Sequence, residues 1–256
     1  MSRLGFHTSV LLVLAVCMAT KPSIAQQQEF EVASVRQFQG PHVPHGVSLI
    51  VSHGKAKVDA GSLRQLVAIA YGVQRAAVEG GPDWSDSDEF NIAAKAEKED
   101  ASYGEIQGML QILLADRFKL KVRRETKDLP GYALTTAKSG SKLKQAKDEE
   151  AAGFNAVMNG LIFHKMPIAG LVNYLANLAG SPVQDLTGLT GLYDFSLDLT
   201  PSAVVQFEPQ GRVPPIVNRF VRVSGAVEEQ LGLKVEARKV SVEVIIIDRA
   251  EHPSGN

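Results

Sequence analysis

The feature that most constrains this chain is a series of apolar patterns that occurs twice. Apolar residues at the i, i+3, i+4 and i+7 spacing of an amphipathic helix occupy 63–70 and again 168–175, which is 105 positions later. The alternating, strand-like segments 90–95 and 193–198 lie 103 positions apart. Agreement in both order and spacing predicts that the chain consists of two related halves.

The elements that follow continue this order. Three further pairs of segments recur: a second apolar helix at 106–114 and 223–227, a strand opening at 118–122 and 231–235, and a closing strand at 132–135 and 242–247. The sequence therefore predicts an α+β fold of two tandem related halves, each arranged as (strand)-helix-strand-helix-strand-strand. We expect the helices of each half to pack on that half's own, mainly antiparallel sheet.

Composition sets the boundaries of these halves. The first half is predicted at 26–138 and the second at 154–256, joined by a linker at 139–153 that is rich in Lys, Ser and Glu. The second half contains an inserted loop at 201–215, which holds four of the chain's twelve prolines.

Residues 1–25 have the layout of a secretory signal peptide. Arg3 precedes an apolar run at 10–19, which is too short to span a bilayer. Small residues at the −3 and −1 positions then predict cleavage after Ala25. Cys17 is disfavoured as a lipidation site because the residue before it is Val16, which is not small. We therefore expect a periplasmic or extracellular protein that has no membrane span after cleavage.

Cleavage would also change the charge and the thiol content. It removes Arg3 and Lys21 but no acid, so the 27 basic residues fall to 25 against 28 acidic ones, a formal charge of −3. A chain of this charge has no electrostatic reason to bind nucleic acid. The one cysteine leaves with the signal peptide, which excludes disulfides and thiol chemistry.

The sequence predicts no catalytic residues, no cofactor and no metal site. His42, His45 and His53 stand in a loop without a supporting acid, and no His-Glu-x-x-His helix is present. No Gly-x-Ser-x-Gly nucleophile motif occurs either. Gly188 and Gly191 precede a strand, whereas phosphate-binding glycines lie between a strand and a helix, so this pair is interpreted as a structural turn.

Four residues are the candidates for contact with a ligand or a partner. They are Asp83, Trp84, Tyr193 and Asp194, which stand beside the glycine-rich turns of the two halves. Trp84 is the sole tryptophan, and a loop aromatic can either anchor a partner or fold back to cover the core. Both interpretations stay open at this point, as does a solvated strand face for Asp194.

Several motifs resemble those of a known protein family. They are FEVASV at 30–35, GPDW at 81–84, MLQILLADRFKL at 109–120, TGLTGLYDF at 187–195 and EQLGLK at 229–234. Together they resemble a soil-associated family of exported proteins expanded in Acidobacteria, a domain of unknown function. Some of its members resemble fusions to membrane metallopeptidases of the beta-lactam-sensor type. Each half is also similar in architecture to the small N-terminal modules of secretins and TonB-dependent receptors.

These observations lead to one functional hypothesis and two alternatives. We expect a non-catalytic binding or interaction module of the cell envelope, with an unknown envelope protein or small ligand as its partner. One alternative is an envelope hydrolase whose site lies between the halves and uses Asp83, His164 or Asp194. The other, suggested by the family resemblance, is a soluble accessory of a membrane sensor or peptidase.

Overall fold

The computed structural model describes residues 28–40, 47, 49–146, 153–157, 159–200 and 215–253. The predicted signal peptide with Cys17, the histidines at 42 and 45, and 201–214 of the predicted inserted loop lie outside the described residues. The strands are β1 (Phe30–Gln37), β2 (Ile50–Ser52), β3 (Lys55–Ser62), β4 (Val78–Gly80), β5 (Glu89–Ala96), β6 (Lys121–Thr136), β7 (Lys144–Gln145), β8 (Gly153–Val157), β9 (Gly160–Met166), β10 (Val183–Asp185), β11 (Tyr193–Asp198) and β12 (Leu233–Arg249). The helices are α1 (Leu63–Tyr71), α2 (Tyr103–Arg117), α3 (Ile168–Ala179) and α4 (Pro215–Leu231), with 3-10 turns at Arg75–Ala77 and Asp83–Ser85.

The helices begin and end at residues suited to those positions. Ser62 and Ser102 cap α1 and α2, and each forms a capping box with the residue three positions on. Gly72 and Gly180 end α1 and α3 in the left-handed conformation that glycine adopts without strain. Among the helices of the described residues, none combines the length and apolarity needed to cross a bilayer.

The sheets confirm the predicted α+β class. Three four-stranded, mostly antiparallel sheets have the strand orders β1-β5-β3-β2, β10-β6-β12-β4 and β7-β11-β9-β8. We call them sheets A, B and C in this order. The four helices pack against them. Each strand of sheet A corresponds to the strand six places later in the chain, so that the order β1-β5-β3-β2 becomes β7-β11-β9-β8, which is the order of sheet C. Common ancestry of the two halves stays a prediction.

The two long strands, β6 and β12, belong to both halves. They pair antiparallel from Leu233 opposite Thr136 to Arg249 opposite Lys121. The outer strands of sheet B are exchanged: β4 of the first half pairs parallel with the end of β12, and β10 of the second half pairs parallel with the end of β6. The expectation that each half packs only on its own strands is therefore wrong.

The exchange also joins the cores. The core between α1, α2 and sheet A contains Phe90 and Phe118 from the first half and Ile245 and Ile247 from β12. The core between α3, α4 and sheet C contains Leu134 from β6. Residues 244–247 are all buried because β12 lies between β6 and β4 and is covered on both faces. Each half thus completes the core of the other.

The predicted strand openings at 118–122 and 231–235 begin later than expected. Phe118 ends α2, Lys119 has a left-handed backbone with φ of 50°, and β6 starts at Lys121. In the second half Gly232 has φ of 65° and β12 starts at Leu233. One residue with a left-handed backbone therefore redirects the chain from α2 into β6, and one does so from α4 into β12.

Candidate functional site

The two predicted contact residues of the second half have structural roles. Tyr193 is buried in the core of sheet C, and its hydroxyl donates to the carbonyl of Thr190 at 2.9 Å. Asp194 accepts the backbone N–H of Lys165 at 2.7 Å. Lys165 has φ of 49° and lies where the pairing of β9 with β11 shifts register. The carboxylate therefore satisfies an N–H that the bulge removes from the ladder.

The first half contains the same arrangement with a neutral side chain. Asn91 on β5 accepts the backbone N–H of Ala60 at 2.9 Å. Ala60 has φ of 51° and lies at the register shift between β3 and β5. Because Asn91 and Asp194 perform the same task on equivalent strands, the charge of Asp194 is not required for it.

The glycine pair before β11 forms a turn, as the sequence predicts. Gly188 has φ of 69° and Gly191 has φ of 110°, conformations that other residues rarely adopt. A side chain at Gly188 would meet no atom within 4 Å. Thr187 closes the start of the turn by donating its backbone N–H to Asp185 at 2.9 Å. The glycines are needed for backbone direction rather than for close approach to a neighbour.

Trp84 lies at the edge of the first core on the 3-10 turn Asp83–Ser85. Its ring packs edge-on against Phe90, with centroids 6.1 Å apart, and is stacked near Phe118 at 6.4 Å. The ring is only partly buried, and the imidazole of His252 lies against it, with centroids 4.1 Å apart and planes tilted by 31°. Trp84 thus covers the core and also offers an aromatic face near the surface.

A carboxylate stands at the edge of the same imidazole. Nε2 of His252 lies 2.8 Å from Asp88, whose other oxygen accepts from the hydroxyl of Ser87 at 3.0 Å. The amide of Gln37 lies 3.5 Å from Asp88. The hydrogen bonds from His252 and then Ser87 lower the pKa of Asp88. We call the group Gln37, Trp84, Ser87, Asp88 and His252 the Trp84 corner.

An arginine holds the turn beneath this corner in place. The guanidinium of Arg64 on α1 contacts both oxygens of Asp86, at 3.0 and 2.9 Å, and donates to the carbonyl of Val78 at 2.6 Å. It also donates to the carbonyl of Gly80 at 3.0 Å, and Arg75 contacts Asp86 at 2.7 Å. Asp86 is therefore committed to two arginines, whereas Asp88 faces His252.

The glycines that enter the turn allow this close packing. Gly80 has φ of 70°, and a side chain there would lie 2.7 Å from the carbonyl oxygen of Ile247. Gly81 has φ of 86°, and a side chain there would lie 2.7 Å from the buried hydroxyl of Ser85. Only glycine lets the segment that contains Trp84 approach β12 this closely.

Side chains also close both outer edges of sheet B. Arg64 covers the carbonyls of β4, as described above. Gln74 acts on β10 like a strand, because its amide donates to the carbonyl of Val183 at 2.7 Å and accepts the N–H of Val183 at 2.8 Å. A further strand cannot pair at these positions without displacing the side chains. Strand addition is thus disfavoured at both edges of this sheet.

The residues considered for a hydrolase do not lie on one element or against one core. Asp83 is exposed on the turn beside the first core, whereas His164 and Asp194 lie on β9 and β11 of sheet C. Among the described residues, no group of three or more His, Cys, Asp or Glu side chains could hold a metal ion. His53 has φ of 48° and its ring nitrogen lies 2.9 Å from the hydroxyl of Ser52.

Comparison with known proteins identifies the family. Residues 64–250, from α1 to just past β12, match the family described as Protein of unknown function (DUF3738). The chain belongs to this family. The matched segment of this DUF3738 protein includes Arg64, Trp84 and Asp88 but ends before His252.

A second comparison is confined to part of the chain. Over 121 residues it is 27% identical to the 3-hydroxy-3-methylglutaryl-coenzyme A reductase of Halobacterium salinarum. That match takes in 47% of this DUF3738 protein but only 29% of the enzyme, so the chain spans under a third of the enzyme's length. No solved structure matches the chain significantly.

Sequence reasoning named Asp83 and Trp84 but missed Asp88 and His252. Asp88 and His252 are 164 positions apart in the chain, so no local spacing joins them. The one available indication was the density of acids in 83–88, where Asp83, Asp86 and Asp88 alternate with Trp84 and serines. The imidazole that completes the corner comes from a segment with no regular pattern.

Proposed function

We propose that this DUF3738 protein is exported to the cell envelope and is a non-catalytic binding module there. The contact surface for its ligand or partner is the Trp84 corner together with the exposed carboxylate of Asp83. Membership among the soil-associated exported proteins of Acidobacteria belongs to the same proposal.

The observation that supports this proposal is the contrast between the two pairs of candidate residues. Tyr193 and Asp194 are occupied by hydrogen bonds inside the second half. Trp84 instead stays partly exposed at the surface beside the imidazole of His252, on the same turn as Asp83 and close to Asp88. An aromatic anchor bordered by polar groups is the arrangement that protein interfaces use most often for affinity.

The geometry favours binding over hydrolysis. An acid–base pair must meet within hydrogen-bonding distance of one reacting group. Asp83 lies beside the first core, and the oxygen of Asp194 nearest β9 already accepts a backbone N–H. No observation on the described residues favours the accessory role over a free-standing module.

Photo-crosslinking in intact envelopes tests the contact surface. A photoreactive amino acid replaces Asp83 in one full-length variant and Lys138, an exposed turn residue of the first half, in a matched control. We expect adducts at position 83 and not at 138. Equal adducts at both positions, or none at 83, would contradict the proposed surface.

Fractionation tests the location. We expect the mature protein in the exported fraction to begin at Gln26, as N-terminal sequencing would determine. A cytoplasmic protein that retains residues 1–25 would contradict export.

A further inference from the structure

We infer that the Trp84 corner is a recognition site for a guanidinium group presented by a protein partner, and that His252 occupies this site from within the chain. This inference rests on the proposed binding function and adds the chemical class of the group that is bound.

The contacts of His252 define what the site accepts. The imidazole lies over the indole, with centroids 4.1 Å apart and planes tilted by 31°, while its Nε2 meets the carboxylate of Asp88 at 2.8 Å. The site therefore takes a flat group whose face contacts an aromatic ring and whose edge donates to an anion. An arginine side chain has both properties, since guanidinium is planar, always charged, stacks on aromatic rings and pairs with carboxylates.

The receiving side of the site is held in place by the fold. Trp84 packs against both Phe90 and Phe118, and its backbone carbonyl accepts the N–H of Asp88 at 3.0 Å. The hydroxyl of Ser87 orients the carboxylate of Asp88. A site that is already ordered loses little entropy when it binds, which favours affinity.

The occupant is held more weakly than the site. His252 follows the end of β12, and its side chain is half exposed, at 50%. Its segment is attached to the first half through the N–H of Glu251, which donates to the carbonyl of Phe118 at 2.7 Å. A hydrogen bond between exposed side chains contributes only about 0.5–1.5 kcal/mol, so a partner that offers a better group can displace the imidazole.

The surrounding charges support a cationic ligand. Asp83 is exposed on the same turn, whereas Glu251, next to His252 in the chain, is already paired with Arg249. Arg64 and Arg75, the nearby cations of the turn, are both paired with Asp86. The carboxylate that remains to receive an incoming cation at the indole face is that of Asp88.

Trp84 makes the inference directly measurable, since it is the only tryptophan in the chain. The full-length protein is titrated with N-acetyl-arginine amide, and the indole emission is followed. The neutral probe N-acetyl-citrulline amide, which keeps the shape but loses the charge, is the ligand control. We expect the arginine probe to change the emission and the citrulline probe to leave it unchanged.

Three variants identify the residues responsible. His252→Ala removes the internal occupant, so we expect it to bind the arginine probe about tenfold more tightly than the wild type, or about 1.4 kcal/mol. His252→Arg places a guanidinium in the site, so we expect weaker binding of the probe than in the wild type. Asp88→Asn combined with His252→Ala should lose the gain, while Asp198→Asn, an exposed acid of the second half, should not change binding.

Far-UV circular dichroism of every variant establishes that it is folded. The inference is overturned if His252→Ala binds the arginine probe no more tightly than the wild type, or if His252→Arg binds it equally well. It is also overturned if Asp88→Asn has no effect. If crosslinking in envelopes gives adducts at position 83 but the protein does not bind the arginine probe, this inference is refuted and the proposed function stands. Absence of both would refute the two together.

Discussion

The exchanged strands predict that damage to one half destabilises the other equally. Leu171 on α3 is fully buried in the second core. Leu171→Ala should lower the free energy of unfolding by about 3 kcal/mol, within the usual range for a buried leucine. For a chain of this size each kcal/mol lowers the melting temperature by about 2–4 °C, so we expect a fall of about 6–12 °C.

The fall should be seen by a reporter in the opposite half. Trp84 is packed on the first core, and that core contains Ile245 and Ile247 from β12. Because β6 and β12 pair along their length and β6 contributes Leu134 to the second core, the two cores should unfold together. Thermal melts followed by Trp84 fluorescence and by far-UV circular dichroism should therefore shift by the same amount.

A matched variant controls for the substitution itself. Leu192 is exposed in the turn before β11, and Leu192→Ala should change the free energy of unfolding by less than about 0.5 kcal/mol. The reasoning is refuted if Leu171→Ala leaves the Trp84 transition at the wild-type temperature while circular dichroism shows a separate, earlier transition. That outcome would mean that the shared strands do not couple the two cores.

Three further predictions concern the bulges, the turns and the acid limb of stability. Asp194→Ala should lower the free energy of unfolding by about 1.5–3 kcal/mol and Asn91→Ala by about 1 kcal/mol, because each variant loses the acceptor of a backbone N–H. Urea denaturation measures both values. An Asp194→Asn variant that is as unstable as Asp194→Ala would contradict the shared role. Gly232→Ala should lower the melting temperature more than Gly188→Ala, because both have positive φ but only a side chain at 232 would meet the carbonyl of Gly140. The pKa values of Asp88 and Glu105 are lowered in the folded protein, by hydrogen bonds from His252 and from Ser102 respectively. The stability that these two carboxylates contribute is fully present above their pKa in the unfolded chain, about 4, and is lost as the pH falls through their lower folded pKa. The melting temperature should therefore fall less steeply with acid pH in Asp88→Asn and Glu105→Gln than in the wild type.

The sequence was sufficient for the elements whose cause is local. The spacing of Leu63, Leu66 and Val67 predicted α1, and the structure shows Ser62 as its cap. The segment 242–247 was predicted as a closing strand, and it lies within β12, where 244–247 are buried. The sequence could not predict that β4 supplies one neighbour of this strand, because alternation and apolarity specify a buried strand without specifying its partner.

The candidate site was only partly predictable for the same reason. Trp84 was visible as the sole tryptophan in a glycine-rich turn; it covers the core, which was one of its two interpretations, whereas contact with a partner stays a prediction. Asp194 was placed on the polar face of a strand, but its bond to Lys165 depends on a register shift between β9 and β11. His252 reaches Trp84 because the end of β12 lies opposite the start of β6, where Glu251 donates to the carbonyl of Phe118.

The position of Ile245 and Ile247 has a consequence for synthesis on the ribosome. The first half emerges early, yet two of the buried side chains in its core, Ile245 and Ile247, are among the last to be made. Until they arrive, the apolar surfaces of α1 and α2 stay incomplete and exposed to chaperones. We therefore expect the first core to be completed only after nearly all of the chain has been translated, whatever compartment it later occupies.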